Sequence, residues 1–528
     1  MKKYLIPFFW LIVALLLVST VFHRINIYDE AIGYQGALSL LSGKLPYRDF
    51  WTVYGVGHFA FLAAIIKVFG FSIDFLRFAY ILLFVAFIYM YKSIAAKILD
   101  SRYLYIAVFL AALWLSVNDY FGKAIFIAVF ILFANFFLLY KYVFTKKNSY
   151  MFFSGLLSVL IAYFRHEMII AFWGMFFQSF FFFSWTFDEA QEMTIWQRVK
   201  FGLKTTFPFW LGSSFIIPLI IFWWQIPTSD LISQLYDFPV HIYSQTRSIP
   251  FPNPLDLIYS HSKFESRVRE AWLGIAFFTP AFIYLFAIIN IIRKLIKKQI
   301  TTRNMEFVLT MILFNFGLNL YTQALVFSDF ERIFPTTIIA VILLGYSLKW
   351  NSIKQANLIF YTVCIFLISV PLTVKAKQLQ KFLTQWQSWD IPIAEMPRED
   401  PERVKNLLAT RDYIDRNTNA NEKIFVCNLR NDKLFLNDIV FYQIANRMPA
   451  TKYYELHPNV ANTVAVQNEI VSDLQNNKVR YIVKEDLISP WQPNESSVSK
   501  KVYILDRYID SNFTLVQTNG AYLIYKRK

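Results

Sequence analysis

Asp29 and Glu30 follow directly on an apolar run of membrane-spanning length and open the stretch INIYDEAIGYQGALSLLSGKLPYRDFWTVYGVG at residues 25–57. Carboxylates at the water edge of a bilayer are costly to keep dry, so an ionisable pair there is read first as a site of chemistry. The chemistry open to it is general base catalysis: a positioned carboxylate takes a proton from an alcohol, which is a poor nucleophile at neutral pH. Neighbouring residues diverge by about 100° in a helix and point to opposite sides in a strand, so only one of the two can address a given proton. Asp29 is the expected base, with Glu30 as the alternative.

Other polar residues stand inside apolar sequence. They are Asp119 in SVNDYFGK, Arg165, His166 and Glu167 in IAYFRHEMII, and Asp329, Glu331 and Arg332 in SDFERIFP. A guanidinium fork matches phosphate oxygens and stays charged, which makes Arg48, Arg165 and Arg332 candidates for holding a phosphate. His58, His166 and His241 can contact phosphate or act as ligands. A divalent cation between Asp29 and Asp119 also stays open, on two carboxylates alone; no other cofactor is indicated.

The elements that must position these residues are membrane helices. Of 528 residues 56% are hydrophobic, 19% aromatic and only 17% charged, and the apolar runs are too many and too long for a soluble core. The net charge of +16 could suggest a nucleic-acid partner, but the basic residues lie mostly at the ends of apolar runs, where they orient helices, so no nucleic acid is expected. Cys364 lies in an apolar run and Cys427 in a polar tail, and no disulfide between them is expected. The N-terminal run, with its basic start and no small-residue cleavage site after it, reads as a retained first helix.

The run at 54–70 is short and carries His58 and Lys67; it can cross or lie in the interface. If it crosses, the dense basic cluster RKLIKKQITTR at 293–303 is forced outside. Positive-inside logic therefore favours about eleven transmembrane helices, the N-terminus inside and the C-terminus outside. That arrangement puts Asp29, Glu30, Arg48, Asp49, Asp119, Arg165, His166, Glu167, the loop at 226–270, Asp329, Glu331 and Arg332 on one face.

With the DE pair followed by G-x-x-PYRDF, residues 25–57 resemble the first external loop of GT-C glycosyltransferases, which take a sugar from a polyprenyl-phosphate carrier. The likeness is to bacterial relatives of the protein mannosyltransferases and of lipid A aminoarabinose transferase, and it covers roughly residues 1–375. It implies a polytopic α-helical GT-C-like domain at 1–375 with external loops at 23–73 and 226–270. Asp119 stands where many such enzymes carry a second acidic residue, RHE at 165–167 resembles a basic and polar cluster, and SDFERIFP resembles the late-loop motif before a proline-bearing helix. The loop holding His241 and Arg247 corresponds to the one that shapes the donor site. The resemblance thus implies catalytic roles for Asp29, Glu30 and Asp119, and substrate contacts from Tyr47, Arg48, Asp49, His58, Arg165, His166, Glu167, His241, Arg247, Asp329 and Arg332. Where relatives often have a Pro-Pro-Gly element, this chain has Val53 to His58.

Each assignment has a structural rival. The DE pair can cap the next helix, as can Asp119; Arg165 with Glu167 can be an ion pair at a helix junction; Asp329 to Arg332 can be a solvated turn; PYRDF can be a turn with interfacial aromatics. His457, before Pro458, reads as a surface residue.

After Val374 the composition turns polar, and 376–528 reads as a separate external α/β domain. VKNLLATRDYIDRN has helical periodicity; KIFVC, VRYIVKED, FTLVQ and AYLIYK read as strands, the last two joined at Thr518 to Gly520. No glycine-rich phosphate fingerprint is present. The expected function is transfer of a sugar from a polyprenyl-phosphate donor to an envelope acceptor (lipid, glycan or protein) with inversion. A lipid or polysaccharide transporter or flippase, or a non-catalytic envelope scaffold, stands as the alternative. The expected location is a bacterial inner membrane, with the N-terminus cytoplasmic, the C-terminal domain periplasmic or extracellular, and membrane lipid as surroundings.

Overall fold

Helix is the dominant element because lipid leaves backbone N–H and C=O groups no partners but one another. The computed structural model describes residues 2–23, 25–169, 172–174, 176–178, 194–246, 249, 251–252, 264–299, 305–386, 401–433, 437–486 and 498–528. Arg247, most of the apolar run at 168–186 and residues 387–400 lie outside these residues. The chain begins with α1 (Lys2–Val18), α2 (Asp29–Leu41), α3 (Val56–Phe69), α4 (Ile73–Ala95), α5 (Ser101–Val117), α6 (Ala124–Thr145) and α7 (Asn148–Phe164).

Among the described residues, eight helices are long and apolar enough to cross a membrane: Leu5–Phe22, Ile73–Ala95, Ala124–Thr145, Val199–Trp223, Ala271–Ile296, Glu306–Leu325, Phe330–Trp350 and Ile353–Gln380. The expected number of eleven is not reached by these alone; α3, α5 and α7 are shorter apolar helices. At about 1.5 Å per residue α3 is about 21 Å long, short of a hydrocarbon layer about 30 Å thick. That length suits an interfacial position better than a crossing.

The segment Phe330–Trp350 runs through the middle of the bundle, with 89% of its apolar window buried. Polar atoms facing it are matched one by one, as low-dielectric surroundings demand: Tyr91 Oη donates to Ile338 O at 3.1 Å and Tyr284 Oη to Thr336 O at 2.8 Å. Trp114 of α5 likewise donates through Nε1 to Leu367 O at 2.8 Å.

The small residues of α2 let it sit close to its neighbours. A Cβ on Gly33 would stand 2.7 Å from both Gly122 O and His58 Nε2, so this glycine sets how near α2 comes to α3 and to the turn between α5 and α6.

The helix Ile353–Trp386 continues well past residue 376, so the change in composition falls inside a continuous helix. Beyond it lie the helix Pro401–Asn417 and a four-stranded sheet of β1 (Phe425–Asn428), β2 (Tyr481–Glu485), β3 (Phe513–Asn519) and β4 (Tyr522–Arg527). The order is β1-β2-β4-β3. β1 and β2 are parallel, with Phe425 opposite Ile482, and the other pairs are antiparallel. The expected strands and the hairpin are present, with Gly520 at φ 56° in the turn. Between β1 and β2 the chain passes through the helices Val440–Ile444 and Val464–Asn476.

This domain is docked on the segments of the membrane part that carry Trp51 and Phe238. Trp51 and Phe238 enter the same apolar cluster as Phe425, Cys427, Ile482, Leu505 and Ile509. Backbone groups cross the junction as well: Ile439 N donates to Ile27 O at 3.1 Å and Trp51 N to Lys452 O at 3.0 Å, while Gln443 Nε2 donates to Ala31 O at 2.8 Å. Cys364 and Cys427 are both buried free thiols.

Candidate active site

A cavity of about 120 Å³ lies where these pieces meet, lined by Tyr28, Asp29, Val53, Tyr54, Arg165, His166, Glu167, Phe238, Pro239, Tyr243, Arg332 and His457. Five of the candidates read from the sequence share this wall: Asp29, Arg165, His166, Glu167 and Arg332. They come from the start of α2, the turn after α7 and the first turn of the helix Phe330–Ser347. Helix N-termini carry partial positive charge, and the anionic groups that meet it at these two starts are the chain's own Asp29 and Asp329.

Asp29 is one of three carboxylates gathered around Lys123, the residue before α6. The ammonium lies 3.3 Å from Asp29 Oδ2, 4.0 Å from Asp119 Oδ2 and 2.6 Å from Glu331 Oε1. Asn26 bridges the two aspartates through Nδ2, at 3.3 Å from Asp29 Oδ2 and 3.1 Å from Asp119 Oδ2. Burial pulls the Lys123 ammonium down, but Glu331, Asp29 and Asp119 outweigh it and hold it well above the ordinary lysine value. Burial pushes the Asp119 carboxyl up from its ordinary value against the pull of Lys123, and its Oδ1 is buried without a hydrogen-bond partner. Neither Lys123 nor Asn26 stood out in the sequence, although Lys123 is four residues past Asp119 in the same motif.

Lys123 bears on the divalent cation. Its ammonium stands against the carboxylates of both Asp29 and Asp119, and among the described residues no group of three or more His, Cys, Asp or Glu is placed to hold a metal ion. The donor set does not fit a resident divalent ion there.

Glu30 does not reach the cavity. Turned about 100° from Asp29 by the helix, it forms a wholly buried fork with Arg77 of α4: Nε to Oε1 and Nη2 to Oε2, each at 2.8 Å, both side chains 0% exposed. Tyr34 Oη donates to Glu30 Oε1 at 2.6 Å, and Arg77 also donates to Val21 O and His23 O. With its oxygens engaged there, Glu30 anchors α2 to α4, outside the cavity lining. Arg77 of α4 is the core partner of that anchor.

The remaining candidates fall into two groups. Arg165 pairs with Glu167 through Nε and Nη2, and His166 Nε2 lies 2.7 Å from Leu235 O. Burial raises the Glu167 carboxyl, but Arg165 and His166 more than reverse it, leaving it below its ordinary value. Asp329 caps its helix by accepting from Arg332 N at 2.8 Å and pairs with the Arg332 guanidinium, which rests 4.2 Å above the Phe327 ring. The other group does not line the cavity. Arg48 and Asp49 form an exposed pair at 2.8 Å. Tyr47, at φ 70°, stands behind the wall and donates through Oη to Tyr54 O at 2.8 Å. His58 is buried between α2 and α3, and His241 is exposed, edge-on to Tyr236.

His457, expected at the surface, is 5% exposed and part of the cavity wall. Local sequence carried no signal for this, because its neighbours there are Tyr28, Trp51 and Phe238, all more than two hundred residues away.

No protein-family model and no curated protein matches the chain. Solved structures do. The crystal structure of ArnT from Cupriavidus metallidurans bound to undecaprenyl phosphate is similar with a TM-score of 0.54 at 11% identity, over 99% of this chain and 98% of that one. The archaeal oligosaccharyltransferase AglB from Archaeoglobus fulgidus, in complex with an inhibitory peptide and a dolichol-phosphate, gives 0.52 at 12% identity, over 100% of this chain and 74% of that one. This chain is an integral membrane protein that shares the fold of these structures over nearly its whole length, the GT-C-like fold expected from the sequence.

Proposed function

We propose that the protein is an inverting membrane glycosyltransferase that moves a sugar from a polyprenyl-phosphate carrier to a hydroxyl on an envelope acceptor. The observation that carries this reading is the meeting of Asp29 with Arg165 and Arg332 in one cavity, at the start of α2, the end of α7 and the start of the helix Phe330–Ser347. Asp29 takes the acceptor proton as its oxygen bonds to the anomeric carbon. The bond from that carbon to the phosphate oxygen breaks, and its electron pair leaves with the phosphate, whose charge the two guanidinium groups offset. Lys123 supplies the counter-charge for Asp29 from behind. The basic cluster at 293–303 supports an inward N-terminus and a site on the outer face of a bacterial inner membrane.

The test is mass spectrometry of envelope glycans and lipid-linked intermediates in cells lacking the gene, complemented with wild type or with Asp29→Asn. The expected result is one missing sugar with its lipid-linked precursor accumulated, restored by wild type and not by Asp29→Asn at equal membrane abundance. Full restoration by Asp29→Asn overturns the assignment, and an unchanged envelope in the deletion favours a scaffold.

A further inference from the structure

The C-terminal domain reaches the cavity with one wall residue, His457. Its Nε2 is hydrogen-bonded to a carboxylate oxygen of Glu455, whose side chain is 0% exposed. The imidazole is boxed by three rings from different segments of the membrane part: Tyr28 edge-on at 5.5 Å, Trp51 at 5.1 Å and Phe238 at 5.1 Å between centroids. A side chain packed this tightly is fixed in place before any ligand arrives.

Its charge follows from Glu455. A wholly buried carboxylate is costly unless an opposite charge meets it, and an imidazolium bonded to it is such a charge. Protonated against that carboxylate, the ring is a positive hydrogen-bond donor in the wall beside Tyr28 and Asp29. The cavity itself is small, about 120 Å³, and His457 shares its wall with Arg165 and Arg332. The same wall carries the carboxylates of Asp29 and Glu167, which repel an anion; Lys123 offsets the first from behind and Arg165 the second, while Arg332 is itself paired with Asp329.

We infer that His457, held by Glu455, is a third phosphate contact, so that the anion pocket begun by Arg165 and Arg332 is completed only when the C-terminal domain is docked. The inference rests on reading this cavity as the donor-phosphate site. It gives the external domain a part in ligand binding through one named side chain, with Glu455 as its positioning residue.

The test measures binding of undecaprenyl phosphate, and separately of inorganic phosphate, to the full-length protein in detergent for wild type, His457→Gln, His457→Lys and Glu455→Gln. A charged hydrogen bond is at stake, so His457→Gln is expected to weaken undecaprenyl phosphate binding about tenfold or more. His457→Lys, which keeps a cation, is expected to stay within about threefold. Glu455→Gln is expected to fall with His457→Gln while its gel-filtration profile matches wild type. Equal binding by wild type and His457→Gln overturns the inference and leaves the donor reading intact, and equal losses in the Gln and Lys variants overturn it as well, since shape and not charge is then what matters. Binding of inorganic phosphate that depends on His457, with no binding of undecaprenyl phosphate, sinks the donor reading and sustains the contact. Wild type binding neither probe sinks both.

Discussion

Lys123 Nζ lies 3.3 Å from Asp29 Oδ2 and 2.6 Å from Glu331 Oε1, which makes one ammonium the shared counter-ion of a cavity carboxylate and a half-buried carboxylate outside the cavity lining. Replacing it with a neutral side chain leaves three carboxylates facing one another with no cation among them. Lys123→Met is expected to lower turnover about a hundredfold or more, with Lys123→Arg retaining a larger share. Because the ammonium already meets Asp29 and Asp119, a chelator is expected to leave wild-type transfer unchanged. Transfer assays with and without chelator check both points; a metal requirement, or a fully active Lys123→Met, contradicts them.

Glu30 and Asp29 are neighbours in sequence with opposite tasks. Removing one partner of the buried Glu30–Arg77 fork leaves an uncompensated charge in the core, which costs about 3–5 kcal/mol. Glu30→Gln and Arg77→Met are expected to lower the thermal midpoint strongly, and an apolar double replacement to recover much of it, whereas Asp29→Asn leaves the midpoint near wild type. Thermal unfolding in detergent of the single and double variants decides this, and a Glu30→Gln protein of normal stability contradicts it.

The division between these two acids shows how far sequence could be read. Membrane physics made Asp29, Arg165, His166, Glu167 and Arg332 conspicuous, because a polar residue stranded in apolar sequence has few places to be, and the fold brings all five to one cavity. The same reasoning could not separate Asp29 from Glu30, since the outcome depends on where Arg77 of α4 faces. Lys123 was legible only as one more basic residue, as the carboxylate nearest to it, Glu331, is far along the chain. His457 was out of reach altogether: its environment is made by docking of a domain whose strands, but not whose orientation, follow from local pattern.

Glu167 gives the protein an acid-sensitive arm. Its carboxyl is held below the ordinary 4.5 by Arg165 and His166 against the effect of burial. A depressed acid contributes stability that is present above its unfolded value and is lost as pH falls through its folded value. Wild type is therefore expected to lose thermal stability from about pH 4.5 downward more steeply than Glu167→Gln. Melting curves across that range check it, and superimposable pH profiles contradict it.

Asp119 has the opposite sign. Its folded value stands above the ordinary 3.8 because of burial, so its favourable contribution belongs to the protonated form and is lost as pH rises through that value. At neutral pH the ionised carboxylate is a cost, and Asp119→Asn is expected to raise the thermal midpoint while turnover falls, since Lys123 and Asn26 lose a charged partner. Midpoint and turnover measured on the same preparation at pH 7 test the pairing. A less stable Asp119→Asn protein, or one with unchanged turnover, removes the case for strain held at this turn.

Gln234, in the helical segment Ser233–Tyr243, is tied to the loop that carries Trp51. Its side chain is buried, accepts from Thr52 N at 2.9 Å and donates to Tyr47 O at 2.8 Å. Gln234→Ala orphans two buried backbone groups, each at a cost of about 1–3 kcal/mol. Gln234→Glu keeps an acceptor for Thr52 N and loses the donor to Tyr47 O, so its thermal midpoint is expected between those of wild type and the alanine variant. Trp51 packs on both Phe238 and His457, so the loosened loop reaches the cavity wall, and turnover should fall in the same order as stability. Thermal midpoints and turnover that do not rank wild type, Glu, Ala would mean that this contact holds the loop without bearing on the site.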